Sequence, residues 1–143
     1  MAIVKNASAS YQPLGKDGKG HVSLGSGAMA EQPYGFNTRF EGKSGTNPEE
    51  LIAGAHASCY AMALSFALAD AGYDVGELNV DAAVTLEKDG DGFTVTESAL
   101  TLNAKVAAIE ESEFSAIAND AKDNCPISKL LKADISLDYT FSN

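Results

Sequence analysis

Two cysteines, two histidines and a single arginine are the residues of this 143-residue chain whose types and surroundings invite chemistry. Cys125 stands directly before Pro126, at an expected helix start, where unpaired backbone N–H groups and the helix dipole favour a thiolate. Cys59 sits inside a long apolar stretch, where loss of water raises a thiol pKa unless a cation reaches it. His56, one helical turn earlier, and Arg39 are the candidates for that cation. Each cysteine alone has a plainer reading, Cys59 as a small buried hydrophobe and Cys125 as a helix-end residue. Arg39 is the only arginine beside nine lysines, and a guanidinium can be held by a carboxylate while still donating to a second anion.

Four arrangements of these groups can be compared. A cysteine nucleophile with His56 as base fits the one-turn spacing, but nothing in the sequence orients the imidazole and no oxyanion hole is visible. A metal site from His21, His56, Cys59 and Cys125 has suitable atoms but lacks the close ligand pairs that structural zinc sites favour. A binding protein for an apolar small ligand, with incidental cysteines, needs nothing beyond a buried helix. A two-thiol redox cycle needs an attacking thiolate, a resolving thiol and a cation, and the chain supplies each.

The elements that must position these groups begin with residues 46–70, TNPEELIAGAHASCYAMALSFALAD. Asn47 offers an N-cap oxygen, Pro48 suits the first helical position, and Glu50 falls where a capping box wants a carboxylate. From Leu51 to Ala69 there is no Asp, Glu, Lys or Arg, and small and large apolar residues alternate around the whole circumference. Such a helix is expected to be buried on every side. Its length approaches a bilayer span, but its Ala, Gly, Ser and His content and its acidic flanks argue for a core helix that faces other protein, with no membrane partner.

Around this helix, residues 2–12 and 20–25 read as a hairpin across GKDGKG, with a turn at Pro33–Gly35 and a short strand at Phe36–Phe40 that holds Arg39. Gly72 is the expected C-cap. Residues 78–86 alternate as a half-buried strand, and DGDG turns the chain into a return strand whose apolar phase slips around residues 97–99, predicting a bulge there. Residues 110–124 form an amphipathic helix broken by Cys125-Pro126, a second short helix begins at Ile127, and Ile135, Leu137, Tyr139 and Phe141 alternate in a last strand. The fold class is α+β, antiparallel sheets packed around a long buried central helix, in one domain over residues 1–143.

Twenty acidic residues against ten basic ones give a net charge of −10, which disfavours nucleic acid and anionic surfaces as partners. The opening MAIVKNASAS lacks a charged start followed by an apolar run, so no secretory signal is expected and the cytoplasm is the expected compartment. Cysteines in a reducing compartment are more often free, metal-bound or redox-active than a permanent staple.

The segments QPYGFNTRFEG, GTNPEELI, AHASC, CPISKLLKA and DISLDY resemble, in order and nearly end to end, the OsmC branch of the OsmC/Ohr organic hydroperoxide resistance family. The resemblance implies an intertwined α+β homodimer and a peroxidase that reduces organic hydroperoxides, without cofactor or metal, at the expense of an external dithiol such as a lipoyl group. It makes Cys59 the peroxidatic nucleophile and Cys125 the resolving thiol, with Arg39 and Glu49 orienting and ionising Cys59. It reverses the ranking of the thiols from helix-end physics alone, and it gives His56 no role beyond packing or pocket wall. Met62 and Phe66, one and two turns beyond Cys59, are candidates for an apolar substrate pocket, or plain core packing. Glu49 and Cys59 lie about 15 Å apart along one helix, and about 80° around it. They serve one site only if Glu49 comes from a second copy or acts through Arg39, and an obligate homodimer is expected.

Overall fold

In the computed structural model, which describes residues 1–143, the elements run β1 (Ala7–Gln12), β2 (Lys19–Leu24), β3 (Gln32–Tyr34), α1 (Phe36–Phe40), α2 (Pro48–Asp70), β4 (Gly76–Asp89), β5 (Gly92–Val106), α3 (Glu111–Asn124), α4 (Pro126–Leu130) and β6 (Asp134–Ser142). The chain falls into two compact units, Met1–Leu51 and Ile52–Asn143.

The first unit is an antiparallel sheet in the order β1-β2-β3. The expected hairpin is present. The turn expected at Pro33–Gly35 is instead edge strand β3, where Pro33 lies opposite His21; only an edge strand tolerates a residue with no N–H to donate. The strand expected at Phe36–Phe40 is the short helix α1. Phe36 and Phe40 are four apart, the spacing of one helical turn, and their rings meet at 4.9 Å. The Gly35 N–H donates to Thr38 Oγ1 at 2.8 Å, closing the start of that turn, which a reading of β propensity alone overlooks.

Helix α2 starts as its sequence indicates: Asn47 Oδ1 accepts the Glu50 N–H at 2.8 Å. The Glu50 carboxylate does not close a capping box but receives the Thr46 hydroxyl at 3.2 Å. At the other end Gly72 takes φ +98°, and the Tyr73 N–H returns to the Leu68 carbonyl at 2.9 Å.

In the second unit, β4 and β5 pair antiparallel across a two-residue turn, while β5 and β6 pair parallel. That parallel pair departs from the all-antiparallel expectation. The helical crossover α3–α4 carries the chain back to the end of the sheet from which β5 started, as a parallel pair requires. The bulge lies between Thr85 and Leu86, opposite Glu97 and Val95, so the extra residue is Thr96, one position before the expected span. Beyond it Ser98, Leu100, Leu102, Ala104 and Val106 all face inward.

Those β5 side chains meet Tyr60, Leu64 and Leu68 of α2 and Phe114, Ala118 and Ala121 of α3 in one core. Phe114 stacks on Phe141 at 4.4 Å and meets the edge of Tyr139 at 5.6 Å. Within a single chain α2 is not buried on every side. Only His56, Tyr60, Leu64 and Leu68, one stripe at four-residue spacing, are buried, and Met62 and Phe66 remain 60% and 63% exposed. The sheet and α3 cover one side of α2, Cys59 and Ala63 are partly covered at its margin, and Met62 and Phe66 have little cover from the single chain. By length and composition, with a mean hydropathy of 1.5, α2 also meets the requirement for crossing a membrane.

Leu102 of β5, wholly buried, belongs to this core. Leu102→Ala is expected to cost about 2–5 kcal/mol, read as a lower urea midpoint with an unchanged denaturant slope.

Candidate functional site: a two-thiol centre and a carboxylate-held arginine

The break in the last helical segment places the first sulfur. Cys125 ends α3, its N–H donating to the Ala121 carbonyl at 2.9 Å, and also begins α4. With φ −56° and ψ 130° it takes the extended conformation that a following proline imposes. Pro126 has no N–H, so the first amides offered at the start of α4 are those of Ile127 and Ser128.

Both amides act on the acidity of the thiols. Burial acts to raise the Cys125 thiol, but hydrogen bonds from the Ser128 amide, the Cys59 thiol, the Ser128 hydroxyl and the Ile127 amide outweigh it, and its pKa falls below the ordinary thiol value. Burial raises Cys59, its hydrogen bond to Cys125 raises it further, and the Ile127 amide only partly offsets this. The two cysteines are free thiols in hydrogen-bond contact, Cys59 half-buried and Cys125 fully buried. The more acidic thiol is therefore the less accessible one.

His56 projects from α2, one turn before Cys59, into the same core. Its Nδ1 lies 2.6 Å from Ser98 Oγ and its Nε2 2.7 Å from Ser128 Oγ, and all three residues are buried. Burial holds the imidazole below its usual pKa, so it is neutral near pH 7. Tyr60, the next residue of the buried stripe, donates its hydroxyl to the Ala118 carbonyl at 3.0 Å. Burial, with the charge on Cys125, holds that phenol protonated.

Arg39 and Glu49 meet in the first unit. The guanidinium grips the carboxylate with both arms, Nε to Oε1 and Nη2 to Oε2, each at 2.8 Å. Asn47 Nδ2 donates to the Thr38 carbonyl at 3.3 Å and so ties α1, which carries Arg39, to the start of α2, which carries Glu49. The bond to Glu49 raises the Arg39 pKa further, and the grip leaves Nη1 unengaged by that carboxylate. Arg39 borders an open cleft of about 370 Å³ walled by Tyr11, Lys16, Tyr34, Phe36 and Phe40.

Of the residues singled out from sequence, then, Cys59 meets Cys125 and Arg39 meets Glu49, each pair within its own unit. Met62 and Phe66 stand exposed on α2 in the single chain. No three His, Cys, Asp or Glu side chains converge as metal ligands. Sequence reasoning passed over Ser98, Ser128 and the aromatic cleft beside Arg39. Serines carry no periodic signal, and the cleft joins β1, the turn after it, β3 and α1.

Residues 40–140 match the family described as OsmC-like protein. Over 139 residues, 97% of each chain, the sequence is 49% identical to peroxiredoxin OsmC of Escherichia coli. It is 27% identical over 119 residues, 82% of this chain and 85% of the other, to the organic hydroperoxide resistance protein OhrB of Bacillus subtilis. In structure it resembles an OsmC-like protein from Mycoplasma pneumoniae, with a TM-score of 0.76, 14% identity and full coverage of both chains; that likeness speaks for the fold.

Because His56 is held neutral in the fold but takes a proton near pH 6.5 when unfolded, the unfolded chain binds more protons below that pH. The stability this group contributes is present above pH 6.5 and is lost as pH falls through that value and below. Urea midpoints measured at pH 7.5 and 5.5 are expected to differ more in the wild type than in His56→Gln.

Proposed function

The chain belongs to the OsmC-like protein family, and from that membership and its two-thiol centre we propose a peroxidase that reduces organic hydroperoxides to alcohols in hydroperoxide defence. The observation that carries the mechanism is the pairing of a half-buried Cys59 with a fully buried Cys125 in hydrogen-bond contact. A peroxide arriving from solvent meets Cys59 first. The Cys59 thiolate attacks the terminal peroxide oxygen, the O–O bond breaks, the alkoxide leaves as alcohol after taking a proton, and Cys59 becomes a sulfenic acid. Cys125 then displaces the sulfenic oxygen as water and forms the disulfide, which an external dithiol of the lipoyl type reduces. No cofactor or metal enters this cycle.

Burial alone leaves Cys59 a weak acid, so the cycle needs a cation at that sulfur. Arg39, fixed by Glu49 and with Nη1 still able to donate, is the group suited to hold the thiolate and polarise the peroxide. A homodimer brings the pairs together on this reading: one copy's Glu49 and Arg39 serve the partner's Cys59. It would also cover the apolar side of α2, where Met62 and Phe66 become an alkyl-binding wall and not exposed surface. The compartment that suits such a dithiol-dependent cycle is the cytoplasm, with residues 1–143 acting as one domain. A second reading, with Cys125 as the attacking thiol, is favoured by its lower pKa but opposed by its complete burial.

Turnover of cumene hydroperoxide with dihydrolipoamide, with hydrogen peroxide as comparison, decides between them. Cys59→Ser is expected to abolish both turnover and the first attack, while Cys125→Ser abolishes turnover and keeps a single attack. The opposite pattern would establish Cys125 as the nucleophile, and no turnover by reduced wild-type protein would leave an apolar-ligand binding protein as the better reading. Arg39→Ala is expected to lower kcat/KM about a hundredfold or more, as loss of a preorganised charge does. The mass in solution is expected to be that of two chains; an active monomer refutes the shared site.

A further inference from the structure

His56 is the buried polar group that the peroxidase cycle leaves unused. Both of its ring nitrogens are engaged, Nδ1 by Ser98 on β5 and Nε2 by Ser128 on α4, at 2.6 and 2.7 Å. His56 and Ser98 are wholly buried, and Ser128 is 9% exposed. A histidine that only filled space would end its hydrogen bonds at the two serines. This one does not, because Ser128 is the third residue after Cys125, the residue that begins α4, and a side chain there reaches back toward the residue at the helix start; its hydroxyl acts to lower the Cys125 thiol. A chain of polar groups therefore leads from β5 through α2 toward the buried thiol.

Proton counting gives the chain a direction. A serine hydroxyl has one proton to donate, a thiolate can only accept, and a neutral imidazole has one N–H and one bare nitrogen. When Cys125 is ionised, Ser128 donates its proton to the sulfur and must accept from the ring, which places the ring proton on Nε2. Nδ1 is then bare and accepts the Ser98 hydroxyl. In the opposite tautomer Nε2 draws the Ser128 proton to itself, and the sulfur loses a donor.

We propose that His56 is a positioning residue that acts through Ser128: oriented by Ser98, it keeps the Ser128 hydroxyl turned onto Cys125 and so stabilises Cys125 as a thiolate. The use of that thiolate rests on the peroxidase reading. There, the Cys125 sulfur attacks the Cys59 sulfenic sulfur, the S–S bond forms, the S–O bond breaks, and the departing hydroxide takes up the proton Cys125 has released. Sulfenic acid and thiol become disulfide and water. The titratable groups that bear on Cys125 are Cys59 and Tyr60, both from α2, and His56 through Ser128.

The test reads the thiol itself. In full-length Cys59→Ser protein, where Cys125 is the remaining cysteine, the pH midpoint of thiolate formation is followed by ultraviolet absorbance, with and without Ser128→Ala, Ser98→Ala and Ser128→Thr. Ser128→Ala is expected to raise the midpoint by about one pH unit, a tenfold loss of thiolate at a given pH. Ser98→Ala, which touches no sulfur, is expected to raise it in the same sense, and Ser128→Thr to keep it near the starting value. An unchanged midpoint in Ser128→Ala overturns the proposal. A shift in Ser128→Ala with none in Ser98→Ala overturns the role of His56 and leaves the serine acting alone. Because no peroxide is present, a shift found in a protein without peroxidase turnover supports the relay and counts only against the peroxidase reading.

Discussion

The second unit depends on where the backbone amides at the start of α4 point. The Cys125 thiol lies below its ordinary value in a buried setting because Pro126 ends α3 and contributes no N–H of its own, so that the Ser128 and Ile127 amides, with the Cys59 thiol and the Ser128 hydroxyl, outweigh the effect of burial. The surrounding core keeps Cys59 near the Ile127 amide as well. The buried stripe His56, Tyr60, Leu64 and Leu68 fixes α2 on β5, and Tyr60 ties α2 to α3 through the Ala118 carbonyl. Phe114, wedged against Tyr139 and Phe141, seats α3 on β6. A small displacement of α2 would separate the sulfurs and also break the hydrogen bonds of His56, so packing and chemistry here restrain the same helix.

The arginine and its carboxylate obey a different constraint. Glu49 occupies the first turn of α2, where the helix dipole favours an acidic side chain without Arg39, and its carboxylate is largely shielded from solvent. Placing Arg39 there satisfies a partly desolvated charge, and the paired N–H fork fixes the guanidinium plane as a lysine ammonium cannot. What the first unit holds ready is an oriented cation with a donor to spare.

Much of this was legible in the chain because local rules and tertiary structure agree. Asn47-Pro48 starts α2, Gly72 ends it, Cys125-Pro126 breaks the last helical segment, and the alternation in residues 78–86 and 135–141 appears as β4 and β6. The failures have identifiable causes. Phe36 and Phe40 have high β propensity, but their four-residue spacing and the Thr38 bond to Gly35 favour a helical turn. The parallel pairing of β6 depends on where a helical crossover returns, which no local pattern encodes. The all-apolar circumference of α2 predicts burial on every side, but only the stripe His56, Tyr60, Leu64 and Leu68 is buried in the single chain, because which faces of a helix are covered depends on what packs against it. Ser98 and Ser128 were invisible because a serine is unremarkable until a histidine and a thiol are placed beside it.

The acidities of the two sulfurs run opposite to their exposures, and on the proposed cycle this opposition has a use. An external dithiol can approach only the more exposed sulfur of a disulfide, which is that of Cys59, and must expel the other. Thiol–disulfide exchange runs faster when the departing thiol is the stronger acid. Amides and a serine hydroxyl gathered at Cys125 therefore stabilise the group that leaves during reduction as well as the group that attacks during resolution. On the same proposal Cys59 is ionised by a different means, the guanidinium of Arg39, a donor suited to a sulfur that must also meet and polarise a peroxide. The proposed cycle thus gives each thiol the kind of donor its step requires: fixed amides for the sulfur that stays buried, and a charge for the one that meets the substrate.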